Sequence, residues 1–401
     1  MTKSLFEIAK PILKQLQAHQ FEAFFVGGSV RDYIMDKEIH DIDITTSATP
    51  DEIESIFDKT IAIGRDHGTI NVVYNNDQYE VTTFRAEGEY DDHRRPNEVF
   101  FVRDLYEDVK RRDFTMNAIA MDIDYQIHDY FEGQKDIQNR IIRTVGKADE
   151  RFNEDALRII RGLRFQSQFG FSLEKETYEG MYAHIADIAH LSIERIIVEL
   201  KKLTLGRYVA QSFSNLKDFE AFKYIPFFKE YDISRFMLEM PLPFEMFVAL
   251  LKVQQPAIDG KLAALKISNN DKRRIHRLEQ LVRYMPQVHD KDALKLFVYD
   301  YGKEDILQVL TYLDVINHND IVTISPLIIN TITINEVVQQ LPIISRKELN
   351  INGKDLIQTM DAPSGAWVKI ALRQIECAVI AGDVKNIKED LIEWVKRHVK
   401  I

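Results

Sequence analysis

The stretch Phe24-Phe25-Val26-Gly27-Gly28-Ser29-Val30-Arg31-Asp32, followed shortly by His40-Asp41-Ile42-Asp43-Ile44, decides how the chain is read. An apolar run breaks at two glycines and resumes with helical spacing at Val30, Tyr33 and Ile34, which predicts a strand, a tight turn and a helix start. Adjacent glycines let the backbone approach a ligand closely, and the unpaired N–H groups of a helix start suit an anion such as phosphate. In the second part Asp41 and Asp43 alternate with Ile42 and Ile44, so a strand there puts both carboxylates on one face. Two neighbouring acids repel unless a cation lies between them, and an all-oxygen seat suits magnesium (Mg2+). A phosphate-cradling turn beside such a pair points to a nucleotidyl-transfer site.

Taken singly, a glycine pair before a helix is ordinary turn chemistry, and Asp-x-Asp is usually two solvated acids. No G-x-x-x-x-G-K-[ST] run occurs, so the turn is not a P-loop. Gly27-Gly28-Ser29-Val30-Arg31-Asp32 followed by Asp41-Ile42-Asp43 resembles the signature of the polymerase-β-like nucleotidyltransferases. Within them it resembles the class II branch, which holds the tRNA CCA-adding enzymes and the bacterial poly(A) polymerases.

With 401 residues, 45% of them hydrophobic, the chain is long enough for two or more packed units. A net charge of −11 argues against a wholesale basic coat for nucleic acid, so RNA contacts are expected in local basic patches. The single cysteine, Cys377, excludes an internal disulfide and a cysteine-built zinc site, and its apolar helical setting reads as core. No signal-peptide pattern opens the sequence, and no apolar run approaches the ~20 residues of a membrane span. These features predict a soluble, cytoplasmic protein without membrane contact, and leave monomer or homodimer open.

Leu5, Phe6, Ile8, Ala9, Ile12, Leu13 and Leu16 form a helical stripe over 4–18, with Pro11 near its start or at a kink. From Phe21 to about Ile142 short strands mix with helices in one α+β unit. Strands are expected at 23–26, 41–45, 69–74 and 78–84, and a helix at 50–57 capped by Thr49. Glu80, the only acid inside its strand-like run, reads equally as a third carboxylate beside the pair and as a solvent-facing acid. The charged, aperiodic segment Glu87-Gly88-Glu89-Tyr90-Asp91-Asp92-His93-Arg94-Arg95-Pro96 reads as a surface loop. For that segment the resemblance implies the flexible loop that permits addition of the final adenosine. Asp113 is expected to cap a helix, and the arginines before it suit triphosphate oxygens. Arg111-Arg112-Asp113-Phe114-Thr115-Met116-Asn117-Ala118 matches the family's Arg-Arg-Asp-x-Thr-x-Asn-Ala motif, which implies that Arg112 binds nucleotide together with Gly28 and Arg31.

Further on, Leu157, Ile160, Leu163 and Phe165 mark the buried side of a helix, while Asp155 and Arg158, three apart, are expected as neighbours on another side. Arg161 and Arg164 continue at steps of three, so these side chains fan around the helix. An ordinary surface Asp–Arg pair is one reading. The other starts from cytosine and adenine, which both present an exocyclic amine beside a ring-nitrogen acceptor. A carboxylate and a guanidinium match that polarity, whereas uracil and guanine present the reverse. Glu154-Asp155-Ala156-Leu157-Arg158 resembles the family's Glu-Asp-x-x-Arg motif, whose implied role is this selection.

From about Gly170 the patterning is almost only helical. Leu191–Leu200 resembles the helix following the family's neck, and Lys261, Lys266, Lys272, Arg273, Arg274, Arg277 and Arg283 are either an RNA-backbone patch or a solvated helix face. Pro241-Leu242-Pro243 hints at a domain junction, and Ile351–Leu356 and Ala362–Gly365 look like helix entries. The resemblance therefore implies an α+β nucleotidyltransferase head at 1–142, with a small mixed sheet and helices. An all-α neck at 143–200, body at 201–275 and tail at 276–401 follow, in an elongated whole. The implied activity is addition of C-C-A to the 3′ end of tRNA from CTP and ATP, with Asp41 and Asp43 holding magnesium. Arg161 and Arg164 join Asp155 and Arg158 on the nucleotide. A poly(A) polymerase with the same head, or a non-catalytic RNA-binding protein, are the alternatives; no attached phosphohydrolase segment is expected.

Overall fold

The computed structural model describes residues 2–87 and 99–400. The expected loop at 87–96 thus lies outside the described residues, save the backbone of Glu87, which ends a strand. Helix α1 (Thr2–Ala18) runs through Pro11, with Phe6, Ala9, Ile12, Leu13 and Leu16 fully buried. Proline removes one backbone donor, but the buried stripe holds the helix against that loss. Strand β1 (Ala23–Val26) ends at Gly27, whose φ of 72° lies in the left-handed region, and α2 (Gly28–Ile34) starts at once. Strand β2 (Asp43–Thr46) starts later than the alternation predicts: Asp41 precedes it and is exposed, while Asp43 opens it. Helix α3 (Pro50–Ile56) is capped by Thr49 in a reciprocal capping box with Glu52, as the sequence predicts.

The head continues through β3 (Thr60–Ile61), β4 (Thr69–Tyr74) and β5 (Asp77–Thr83). A hairpin of β6 (Arg85–Glu87) and β7 (Val99–Phe101) follows, then α4 (Leu105–Lys110), β8 (Ile119–Met121), β9 (Ile127–Asp129) and α5 (Gly133–Asn139). Seven strands form one mixed sheet in the order β3-β4-β5-β2-β1-β8-β9. Because β2 and β5 pair in parallel, Asp43 stands in register with Glu80. Strand β1 lies between β2 and β8, so the glycine turn that follows it emerges beside Asp43. The isoleucines of the Asp-Ile-Asp-Ile run, Ile42 and Ile44, are buried on the other side.

Helices α6 (Ala148–Glu154), α7 (Leu157–Phe169), α8 (Lys175–His184) and α9 (Ile193–Thr204) come next. Leu157, Ile160, Leu163 and Phe165 form the buried side of α7. Gly162, in the middle of that helix, lets it press on the head: a Cβ there would stand 2.8 Å from Phe114 Cζ and 2.3 Å from Met181 Cε.

The chain divides into two compact units, the first of residues 1–234, 238–241 and 261–266, the second of 235–237, 242–260 and 267–401. Pro241-Leu242-Pro243 lies at one of the crossings. In the second unit Ile351, Leu356, Ile375, Val379, Leu391 and Val395 share a core. The helix Gly353–Met360 enters through an Asn352 capping box and Ala366–Ala381 through Gly365, where the sequence predicts entries. Cys377, expected in the core, is only half-buried. Much of the basic stretch proves to be internally neutralised: Arg274 and Arg277 pair with Asp305, Arg283 with Glu279, and Lys266 with Glu194. No helix among the described residues is long and apolar enough to cross a membrane.

The Met181 methyl can swing away from an added Cβ, but Phe114 is fully enclosed. Gly162→Ala should therefore destabilise the first unit by roughly 1–3 kcal/mol, the usual cost of overpacking. A lowered urea midpoint with unchanged slope checks this, and an unchanged midpoint contradicts it.

Candidate active site

The glycine turn, β2, β5 and helices α7 and α9 enclose a cavity of about 630 Å³. Eight arginines and the acids Asp43, Glu80, Asp113 and Asp155 line it. So many guanidinium groups around one space repel each other, and the fold answers with acids placed behind them. Asp108, at the protein's interior with 0% exposure, is the clearest case. Its Oδ1 accepts from Arg111 Nη2 at 2.8 Å and Nε at 3.1 Å, and its Oδ2 accepts from Arg112 Nη2 at 3.5 Å and from the Thr45 hydroxyl at 3.3 Å. Burial alone would raise this carboxyl; Arg111 and Arg112 hold it below the ordinary carboxylate range instead. Asp108 thereby ties both arginines to the strand that begins with Asp43.

Asp113 does a similar task. The sequence predicts it as a helix cap, but only a short 3-10 turn (Thr115–Asn117) follows, with Phe114 at its cap position. Phe114 is fully buried and bridges to Thr144, which leaves the chain no room to open a helix outward at Asp113. The carboxylate instead takes Arg161 Nε at 2.8 Å and Nη2 at 2.7 Å, and Asn117 Nδ2 at 3.0 Å. Burial opposes its ionisation, yet Arg161 and the Asn117 and Phe114 N–H donors hold it far below the usual range. Asn117 passes the order onward, since its Oδ1 accepts from Arg31 Nη1 at 2.7 Å. Arg31 is further held by Asp32 and lies over the Phe169 ring, 4.7 Å from its centroid. On α9, Glu199 is buried and pairs with Arg164 at 2.5 Å and Arg161 at 3.8 Å.

The expected Asp155–Arg158 neighbour pair takes another form. Helix α6 stops at Glu154 and α7 starts at Leu157, so Asp155 sits in the break with extended backbone. Its Oδ1 accepts the Leu157 N–H at 3.0 Å and its Oδ2 meets Arg195 Nη2 at 2.7 Å. Arg158 is held by Glu154 at 2.6 Å and by the Arg151 and Arg111 carbonyls, each at 3.0 Å. Both residues still line the one cavity, as do Gly28, Arg31, Arg112, Arg161 and Arg164. Asp108, Glu199 and Arg195 escaped the sequence reading. Only the spacing of Asp108 to Arg111 and Arg112 on one short helix hinted at its part.

Asp41, Asp43 and Glu80 line a second, acidic cavity of about 590 Å³, and Asp43 and Glu80 line both. The Asp43 carboxyl is raised above its ordinary range, first by burial and then by Glu80 and Asp41, while Arg112 pulls the other way. Among the described residues no three carboxylate, imidazole or thiol groups are placed to hold a metal ion. Glu80 is therefore not part of a preformed three-carboxylate seat. Two carboxylates do fit the magnesium habit of taking one or two acid ligands and completing its shell with substrate phosphates and water. Phosphate has a matching berth: Arg112 Nη1 lies 2.9 Å from where a Gly27 Cβ would be, and its buried Nε has no acceptor among the described residues. The glycine thus makes room for the arginine beside Asp43.

A carboxyl raised in the fold favours the folded state below its unfolded pKa, and that contribution is lost as pH rises through the folded value. At neutral pH ionised Asp43 is thus a cost, removed by amidation. Asp43→Asn should raise Tm without metal by roughly 2–4 °C, a shift of about 1 kcal/mol in a unit this size. Magnesium with CTP should stabilise the parent more than the variant; an Asp43→Asn protein of lower Tm contradicts this reading.

Comparison with known proteins agrees with this geometry. Residues 23–143 match the sequence model described as Poly A polymerase head domain, residues 170–232 that of an RNA and SrmB- binding site of polymerase A, and residues 244–395 that of tRNA nucleotidyltransferase domain 2. A CCA-adding enzyme of Staphylococcus saprophyticus is 66% identical over 399 residues, covering 100% of both chains. One of Staphylococcus epidermidis is 56% identical over 401 residues, again with 100% of each covered. The crystal structure of the Bacillus stearothermophilus CCA-adding enzyme in complex with CTP, 35% identical, superposes with a TM-score of 0.82 over 98% of this chain and 97% of that one. The chain belongs to the family of CCA-adding enzymes, tRNA nucleotidyltransferases with this mixed-sheet head and helical remainder.

Proposed function

We propose that this chain restores or completes the C-C-A end of tRNA in the cytoplasm, using CTP and ATP as substrates and no nucleic-acid template. The observation that carries the reading is the cavity itself, where an acid pair, a glycine turn and an arginine ring with buried counter-acids converge. The 3′-hydroxyl oxygen of the tRNA attacks the α-phosphorus, the bond from that phosphorus to the β-bridging oxygen breaks, and pyrophosphate leaves with the electron pair. Asp41 and Asp43 would hold magnesium, which when bound makes the hydroxyl more acidic and neutralises charge at the leaving oxygens.

The chain's own groups supply the remainder. Arg31 and Arg112, with the Gly27-Gly28 backbone, bind the triphosphate. Asp155 accepts from the base amine and Arg158 donates to the ring nitrogen, while Arg161 and Arg164 serve sugar and phosphate. Because each arginine is already fixed by Asp108, Asp113, Glu154 or Glu199, little reorganisation is left for the reacting complex. In this reading residues 1–142 are the catalytic head, 143–200 the neck that selects the base, 201–275 the body and 276–401 the tail that binds tRNA.

The deciding assay uses purified protein, magnesium and a tRNA transcript lacking its last three nucleotides, with each nucleotide alone and together. Growth by C-C-A followed by arrest is expected. A long A tail, or no incorporation, overturns the proposal.

A further inference from the structure

The base-reading assignment above leaves one member of the cavity without a task, Arg195 on α9. Its only printed contact is with the residue that matters most for selection, and it comes from a different helix, forty residues away along the chain. We infer that Arg195 is a specificity-determining positioning residue: it clamps the Asp155 carboxylate so that an acceptor lone pair faces the base amine. This inference rests on the proposed role of Asp155.

Asp155 needs such a clamp because of where it sits. It lies outside both helices, in the break between α6 and α7, so no helical hydrogen-bond ladder fixes its backbone in register with Arg158. A carboxylate on a two-bond tether turns about its last torsion broadly, since that torsion has no sharp staggered wells. Two donors on opposite oxygens stop the turning: the Leu157 N–H takes Oδ1 and Arg195 takes Oδ2. Each oxygen has a second lone pair, so the clamp leaves acceptor capacity for an incoming amine. Arg158 cannot perform this task, because Glu154 and two backbone carbonyls hold it. The pair is also partly shielded, with side-chain exposures of 33% for Arg195 and 18% for Asp155, which limits screening by water.

The reading edge is then built from two separate ion pairs, Arg195–Asp155 and Glu154–Arg158, each presenting one polarity. Selection between amine-bearing and carbonyl-bearing bases depends on both being aimed. A freed Asp155 carboxylate would still accept from an amine in some orientations, but could turn away from a uracil carbonyl instead of repelling it.

The test measures kcat/KM for CTP, ATP, UTP and GTP in the full-length parent, Arg195→Gln, Arg195→Lys and Asp155→Ala, with Tm recorded for each. In Arg195→Gln the CTP-to-UTP ratio should fall at least about tenfold, the scale of one lost oriented hydrogen bond to a base. Arg195→Lys, which keeps a cationic donor on the same helix, should regain most of that ratio. An equal loss for all four nucleotides in Arg195→Gln, or a raised KM for tRNA alone, overturns the inference. If Asp155→Ala loosens selection while Arg195→Gln does not, the Arg195 claim alone fails. If Asp155→Ala leaves selection unchanged, the base-reading assignment falls and this inference with it.

Discussion

Crowding eight guanidinium groups around one cavity is the constraint to which the rest of the first unit answers. At separations of a few ångströms in partly dry surroundings, like charges repel by several kcal/mol, and a fold that did nothing about it would splay. This chain places an acid behind almost every arginine: Asp108 behind Arg111 and Arg112, Asp113 behind Arg161, Glu199 behind Arg164, Glu154 behind Arg158 and Asp155 against Arg195. Each pair satisfies part of a guanidinium fork and leaves the remainder for a ligand. The cavity is thus both stable when empty of substrate and receptive to a polyanion, because an incoming triphosphate adds charge without having to rearrange its binders.

On the other side of the same strand the balance is reversed. Asp43 carries the unfavourable charge, with Glu80 in register beside it and Asp41 just ahead. Nothing in the first unit offsets this fully, since Arg112 is already shared with Asp108. Such an uncompensated acid pair lowers stability, and its persistence next to a phosphate berth makes sense only where a cation is recruited with substrate. The two halves of the site therefore divide the work: arginines bind, and aspartates wait.

What could be read from the sequence follows from interaction range. The strand at Ala23–Val26, the strand at Thr69–Tyr74, the Thr49–Glu52 capping box and the helix entries at Asn352 and Gly365 are local, so residue type and spacing sufficed. The members of the site were also legible, because the motifs carry them as short words. Their partnerships were not. Asp113 read as a cap because its partner Arg161 is 48 residues away, and Asp155 was paired on paper with Arg158 because helical periodicity was carried across a break at which α6 ends. The Arg31–Asn117 bond spans 86 residues. One sequence alone holds no trace of such pairings, and the basic stretch around Arg274 to Arg283 read as an open patch for the same reason, its acids lying elsewhere in the chain.

The central claim is that nucleotide binding and chemistry are assigned to different groups on the two sides of β2. Calorimetric titration of CTP into the Asp41→Ala/Asp43→Ala double variant, alongside its rate of end restoration on a truncated tRNA, tests this directly. The account predicts CTP affinity within about tenfold of the parent, because the arginines and their acids are untouched, and incorporation slower by at least about a thousandfold. Restoration of ends at an ordinary rate, or loss of CTP binding together with activity, would contradict it.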